Sequence, residues 1–502
     1  MKKLLLCALF LIALLHLRAQ KKVLGYPFQF EKSFLAKGEY STIFLDNPSD
    51  SAFALILKDN KKVEYIWLSK DFKVLARVPS PIENTILNQT PHKYLGGTAK
   101  GGEYHFIYHM RSGYTMETVD FNAKTVSNKT ILTPPSSEKL LASFSDHDYC
   151  YTVAVDDKAG QLVLYTVNPS GELARKMMPM TIPDDAGKHK DKLSEYLADI
   201  KVIKSSEDPD LSAAIKSVKL FSNPDNLSII VNNGDNPTQI FTISLPDQTL
   251  TQKTIDYSSL ISKNDKGKLY ISSFLKENML FSLLLNKKTI RISAHELPSG
   301  RLLNKFEFTD ESGTNQFAEY PITERRMGKH ADAKDLDDIK KVIRAFTKGT
   351  EGLMVARTDA GKLVVTAGTY DMIPMGGGGG GMAGGYWTGG MVTSSDPYAH
   401  NGISTTYQPI REFVVPGAPI YTMKSARYYT TTYFKMLLDP VTLKVTKGRV
   451  PRPVADQIKD YVDDTDKKAK ATNQFAIGKN QYYGFYDRDM QEYVIEQIRL
   501  YN

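Results

Sequence analysis

One short pattern returns six times along this chain: an apolar strand end, a turn rich in Asp, Asn, Pro or Gly, and an apolar strand start. It reads Leu68-Ser69-Lys70-Asp71-Phe72 in its first copy and Val119-Asp120-Phe121-Asn122-Ala123-Lys124-Thr125-Val126 in its second. The third is Val167-Asn168-Pro169-Ser170-Gly171-Glu172-Leu173, and the fourth is Leu245-Pro246-Asp247-Gln248-Thr249-Leu250. Leu297-Pro298-Ser299-Gly300-Arg301-Leu302 and Leu438-Asp439-Pro440-Val441-Thr442-Leu443 complete the set. Each copy closes a longer unit of strand, turn, strand, turn, strand, turn, strand. Short apolar runs such as Phe53–Leu57, Tyr104–His109, Cys150–Val155 and Phe281–Leu285 supply the inner strands. A hairpin recurring at such intervals demands antiparallel sheets in series.

The units begin near residues 40, 92, 139, 216, 268, 351 and 472. Three intervals are long, and each holds a segment of another character. Residues 184–210 and 321–348 show helical spacing, through Leu193, Tyr196, Leu197 and Ile200 in one and Leu336, Ile339, Ile343 and Phe346 in the other. The last long interval holds a helix-like segment, 454–471, and a Gly-rich insertion, 371–426. Without these, roughly 45–55 residues remain per unit, the size of a four-stranded propeller blade.

The chain therefore resembles an all-β, seven-bladed β-propeller over nearly its whole length. The resemblance is architectural: the chain lacks a recurring Trp-Asp pair, a kelch Gly-Gly and an Asp-box. The last unit has three strands, near Gln474–Ile477, Gln481–Tyr486 and Glu492–Leu500, whereas Val23–Phe30 is an orphan strand. Pairing the orphan outside the last three closes the ring and removes two exposed edges. In a propeller, blade-to-blade connections emerge on the same face as the loops between second and third strands. All four insertions are thus expected on one face.

The first residues read as a secretory leader, 1–19. Lys2 and Lys3 precede the apolar run Leu4–Leu15, which is short for a bilayer span, and Leu17-Arg18-Ala19 resembles a cleavage site. Cys7 lies too early for a lipidation signal. Residues 20–502 then form one propeller domain, exported to the periplasm or cell surface. Losing Lys2, Lys3 and Arg18 takes the formal charge from +8 to +5, with no long basic run, which argues against nucleic acid. The one remaining cysteine, Cys150, excludes an internal disulfide and reads as a small buried hydrophobe. No later segment is apolar enough for a transmembrane helix.

Motifs of chemistry are sparse. Gly376–Gly381 lacks the Lys-Ser/Thr and the helix start of a phosphate loop. There is no G-x-S-x-G, no H-E-x-x-H and no EF-hand loop. His147 and Cys150 lie three apart and face opposite sides of a strand. His105 and His109 share a face but stand about 13 Å apart, too far for one ion. Asp463, Asp464 and Asp466 precede lysines and read as a solvated helix end. Asp335, Asp337 and Asp338 before Lys340 and Lys341 suit a helix with acids near its N-terminus. No catalytic residue, metal or cofactor is assigned.

What distinguishes the Gly-rich insertion is its side chains. A plain linker has no need of Met375, Met382, Tyr386, Trp387 and Met391, and Tyr398 follows in a polar stretch. Met and aromatic anchors on a flexible backbone suit a partner's surface. These six residues are the candidate contacts. The expected function is a non-enzymatic, exported scaffold that binds an envelope protein, with peripheral docking to an outer-membrane complex as one form of that role. The alternative is an enzyme or glycan binder using the central funnel, whose residues would come from separate blades and leave no linear motif. Carboxylates with His or Arg at the funnel would favour that alternative; Ser, Thr and apolar residues would favour the scaffold.

Overall fold

A computed structural model describes residues 21–30, 41–183, 192–204, 211–261, 268–309, 322–327, 332–373, 428–450 and 470–500, with parts of 454–462, apart from a few interior positions. Seven sheets follow one another in this chain and form a seven-bladed β-propeller. Their first strands are Ser41–Asn47, His92–Lys100, Glu138–Asp146, Val218–Ser222, Tyr270–Lys276, Thr350–Arg357 and Lys470–Ile477. Each starts within two residues of the unit start read from sequence. First strands of neighbouring blades meet around the axis; chain order runs outward in blades one to five, whereas blades six and seven take their outermost strands from upstream in the chain.

Burial explains the residue choice. The second strand of blade one, Ala52–Lys58, is buried on both faces because blades cover it from either side. The outermost strand of blade two, Thr125–Leu132, is largely exposed and correspondingly polar. The repeated outer turn has a common geometry. Phe72, Lys124, Gly171, Gln248, Gly300 and Leu443, one in each copy, all have positive φ between 51° and 78°. Acceptor side chains hold several of these turns. Asp120 accepts from the amides of Asn122 and Ala123, and Asp439 from those of Val441 and Thr442. Such Asx turns let a non-glycine residue tolerate the left-handed region.

Ring closure is as expected. Lys21–Pro27 pairs antiparallel with Glu492–Ile498, placing Leu24 opposite Ile495 and Tyr26 opposite Tyr493. Phe28 and Phe30 continue into the same core, where Phe30 meets Tyr486 edge-on at 4.8 Å. Polar side chains stitch the inner strands to one another. Ser145 Oγ accepts from Gly97 N at 2.6 Å and donates to Gly97 O at 2.7 Å, joining blades two and three. Thr42 Oγ1 donates to Thr472 O, and Asn473 Nδ2 donates to Thr42 O, joining blades one and seven. Gly97 is required by close approach: a Cβ there would stand 2.4 Å from the backbone carbonyl oxygen of His105 and 2.6 Å from Leu45 Cδ2 of blade one.

Three expectations need correction. Among its described residues, the segment 184–210 is helical only in α1 (Leu193–Tyr196). Lys201–Lys204 then forms a fifth strand, parallel to Val218–Ser222 at the inner edge of blade four. The short helix α2 (Leu211–Ala214) follows. Residues 321–348 are not one helical insertion either. Ile322–Met327 and Asp332–Leu336 form a hairpin that supplies the outer strands of blade six, and among the described residues of that segment only Ile339–Lys348 is helical (α3). The expected outer strand after Asp439 reduces to a single bridge, Leu438 to Val445. Gly448 at φ 148° and the prolines at 451 and 453 explain why: that stretch cannot sustain a ladder.

The closure core yields a direct prediction. Replacing Leu24, which is buried, with Ala should cost about 2–4 kcal/mol in urea unfolding. Val74→Ala, on the exposed outer strand of blade one, should stay within about 0.5 kcal/mol. Equal losses would show that the closing strand adds nothing special.

Candidate functional site at the insertion-bearing face

The six candidate contacts, Met375, Met382, Tyr386, Trp387, Met391 and Tyr398, lie outside the described residues. Their anchor is within them. Leu363–Ile373 and Tyr428–Leu438 are the second and third strands of blade six and pair as far as Ile373 opposite Tyr428. The inner strand starts at Thr350, opposite Tyr370. Three further pairs, Asp371–Thr430, Met372–Tyr429 and Ile373–Tyr428, therefore continue beyond it. At a strand's rise, that is about 10 Å of projecting hairpin. The outer strand Ile322–Met327 flanks it, with Met327 opposite Tyr429.

Antiparallel order places the connections between blades at this same end. Those connections hold α1, α2, α3 and the helical residues Val454, Gln457, Ile458, Tyr461 and Val462. Asp338 caps α3 by accepting from Lys340 N, in keeping with the acid-first pattern of the sequence.

The channel mouth beneath is strapped by α2. This helix leaves blade four, and its Ala214 carbonyl accepts from Ser272 Oγ of blade five. Leu211 and Ile215 lie on blade six over Gly352 and Gly368. A Cβ on Gly368 would stand 2.6 Å from Leu211 Cδ2, and one on Gly352 would stand 2.9 Å from Ile215 Cγ2. Glycine gives the strap its seat. Close by, the inner strand of blade four buries Lys219 completely, with Nζ 3.4 Å from Ser272 Oγ. Burial pushes the Lys219 ammonium down to about 7, against the opposing pull of the Glu351 charge. Burial likewise raises Glu351 above the usual carboxylate range, against Lys219 and Lys268.

A second buried charge lies between blades one and two. Glu117 accepts from Tyr65 OH at 2.8 Å and from Ile86 N at 3.0 Å, and burial lifts its carboxyl to about 7. The sequence reading overlooked both Lys219 and Glu117. The available signal was a lone charge inside a strand of apolar alternation, Val218-Lys219-Leu220-Phe221 and Tyr114-Thr115-Met116-Glu117. Cys150 is buried and its thiol is pushed up to about 12, so it is an inert packing residue. His105 is buried against Thr118 at 3.0 Å, and burial lowers its pKa. Among the described residues no group of three potential ligands could hold a metal ion. His147, Asp337, Asp463, Asp464 and Asp466 lie outside the described residues.

No protein-family model matches the chain, and no curated protein does. Solved structures show only general likeness. The Nup133 β-propeller domain of Vanderwaltozyma polyspora is 9% identical, with 95% of this chain and 98% of that one covered and a TM-score of 0.34. For the WD40 domain of SCAP from fission yeast the values are 9%, 96%, 90% and 0.30. Prolyl oligopeptidase B from Galerina marginata is 9% identical over 68% of this chain at a TM-score of 0.28. The chain spans about half of that enzyme's length, 48%. The propeller assignment stands on the sheet order itself.

Lys219 makes stability depend on pH. Its folded pKa lies below its unfolded one, so between about pH 7 and 10.5 the unfolded chain binds more protons. Stability contributed by this group therefore rises with pH across that window and is lost as pH falls through 7. Glu351, shifted upward, acts oppositely at lower pH. Thermal melts from pH 7 to 10 should show Lys219→Met more stable than wild type at pH 7, with the gap shrinking as pH rises. A gap independent of pH would refute the assignment.

Proposed function

We propose that this chain is an exported, non-enzymatic β-propeller that holds a protein partner of the cell envelope on its insertion-bearing face, peripherally docked to an outer-membrane complex. One observation carries the reading: blade six extends a braced hairpin past the channel mouth, and the chain between its strands carries Met and aromatic side chains. Export rests on the leader-like residues 1–19. No helix among the described residues is long and apolar enough to cross a membrane, so attachment in this reading is through protein contacts.

The inner strands favour the scaffold over a central-funnel enzyme or glycan binder. Their cross-blade contacts are hydroxyls and amides bonded to backbone, at Ser145, Thr42 and Asn473. Glu351 and Lys219, an acid and a base whose charges influence each other, lie beside the α2 strap, and Lys219 is wholly enclosed.

Replacing 374–427 with an Asn-Gly turn tests the reading, since Ile373 and Tyr428 already face each other across the hairpin. The circular dichroism spectrum and melting temperature should match those of the full chain. Recovery of co-purifying envelope protein should fall to background. A folded deletion variant that recovers the same proteins in the same amounts would overturn the role of the insertion. Fractionation of the full chain into the cytoplasm would overturn export.

A further inference from the structure

Charge is shared unevenly around the face opposite the insertions. Inner and third strands run away from the insertion-bearing end, so the turns that follow them lie on that opposite face. Blade six brings Arg357, Lys362, Lys444 and Lys447 there. Blade seven brings Arg499 and, at the start of the closing strand, Lys21. Among the described residues of these turns the one acid is Asp439, which accepts from the amides of Val441 and Thr442. Asp359, Arg449 and Lys479, in the same stretches of sequence, lie outside the described residues. Across the ring the balance reverses. Blades three and four carry Asp146, Asp148, Glu172, Asp225 and Asp247 on the corresponding turns, and their described base there is Lys204. Blades two and five are balanced, with Lys100 and Lys124 against Glu103 and Asp120, and Lys276 and Arg301 against Glu277 and Glu296. Glu277 also pairs with Arg357 of blade six at 2.5 Å.

The basic sector also projects apolar side chains. Val441 is 89% exposed in the blade-six turn, and Val445 is 50% exposed just after it. Both stand in sequence beside Lys444 and Lys447, and Lys362 Nζ donates to Lys447 O at 3.4 Å. Leu302 of blade five, also exposed, is drawn alongside, because Asn304 Nδ2 donates to Leu443 O at 2.8 Å. A lone exposed apolar residue is ordinary. Apolar turn tips set among bases are the pairing that seats a protein in the headgroup region of an anionic bilayer.

We propose that this sector, on blades six and seven of the face opposite the insertions, rests on the anionic headgroup surface of a phospholipid bilayer, with Val441 and Val445 entering the headgroup layer. A protein partner fits it less well. Protein interface cores favour aromatic side chains and Arg and are poor in Lys. Here the exposed apolar residues are aliphatic, and four of the six bases, Lys21, Lys362, Lys444 and Lys447, are lysines. Separated point charges suit a sheet of anionic headgroups, each met singly. The acids of blades three and four, across the ring, confine the contact to one side of the face. The inference goes beyond the partner-binding reading: it adds a lipid contact on the other face and leaves the insertion free for the partner.

Co-sedimentation of the full chain with vesicles tests it at about 50 mM salt, where screening is weak. Vesicles of phosphatidylglycerol and phosphatidylcholine in equal parts should bind the protein, and pure phosphatidylcholine vesicles should not. Binding should fall at least ~10-fold in K362Q/K444Q/K447Q and weaken steeply with added salt. V441S/V445S, which keeps every charge, should lose at least ~3-fold. The control K124Q/K129Q/K176Q removes as many exposed lysines from blades two and three and should stay within about 2-fold of wild type. Melting curves establish that the variants fold. Absent binding, equal loss in the control, or indifference to V441S/V445S would each overturn the proposal. So would tight binding of a labelled deca-glutamate peptide without vesicle binding, which would assign the sector to an acidic protein. The chain lacking 374–427 separates this claim from the role of the insertion. Vesicle binding retained there supports the proposal whatever happens to partner recovery, and vesicle binding lost there overturns it.

Discussion

Main-chain pairing between Lys21–Pro27 and Glu492–Ile498 is the constraint on which the rest depends. Its side-chain companion, Lys22 with Glu492, joins positions 470 residues apart. Without that strand, blade seven would present the outer edge of Glu492–Ile498 to solvent, and Phe28 and Phe30 would lose their place against Tyr486 and Phe72. Each blade is covered by its two neighbours, so loosening one junction exposes apolar faces on both sides. Closure thus makes the ring cooperative, at the cost of a very long-range contact that must form before the last interface is secured.

Two-sided burial leaves little freedom for polar groups, and those inside are used as joints. Ser145 bonded to Gly97 and Thr42 bonded to Thr472 tie inner strands that share no ladder. The hydroxyl cluster of Tyr257, Thr238, Ser273 and Ser282 does the same between blades four and five, with contacts of 2.7–3.4 Å. Lys219 and Glu117 are costlier. Burial shifts both toward neutrality, as expected for charges enclosed without a close counter-ion.

Much of this architecture was legible because strands and turns are local. Alternation fixed the blade starts, and the recurring Asp or Gly turn marked where a residue must adopt positive φ, as Lys124 and Gly171 do. The opposing orphan strand was legible from simple counting. What escaped was whatever depends on distant packing. Lys201–Lys204 is too short for its alternation to register, and its parallel pairing follows from the edge it meets. Nothing local in Leu211–Ala214 announces a strap, since the reason lies in the missing side chains of Gly352 and Gly368. The hairpin Ile322–Leu336 was hidden by charges, Glu324, Arg325, Arg326 and Lys334, that suit a solvent-facing outer strand as well as a helix. Of the candidate site, the sequence located the anchor on blade six; the enclosure of Lys219 beside the strap depends on packing between blades.

Blade six shows how these elements combine. Its own chain cannot supply a full fourth strand after Leu438, because glycine and prolines follow. The vacant position beside Tyr429–Tyr433 is filled from upstream by Ile322–Met327, with Asp332–Leu336 outside it. That substitution covers the third strand near its projecting end, whereas a fourth strand entering from the Asp439 turn would begin at the other. A two-stranded ribbon standing about 10 Å clear of its sheet is marginal in water by itself. Here Arg326 and Met327, opposite Thr430 and Tyr429, add a third strand to all but its last pair and tie it into a five-stranded sheet. The upstream hairpin and the insertion are therefore parts of one device, and removing Ile322–Leu336 would loosen the seat from which residues 374–427 depart.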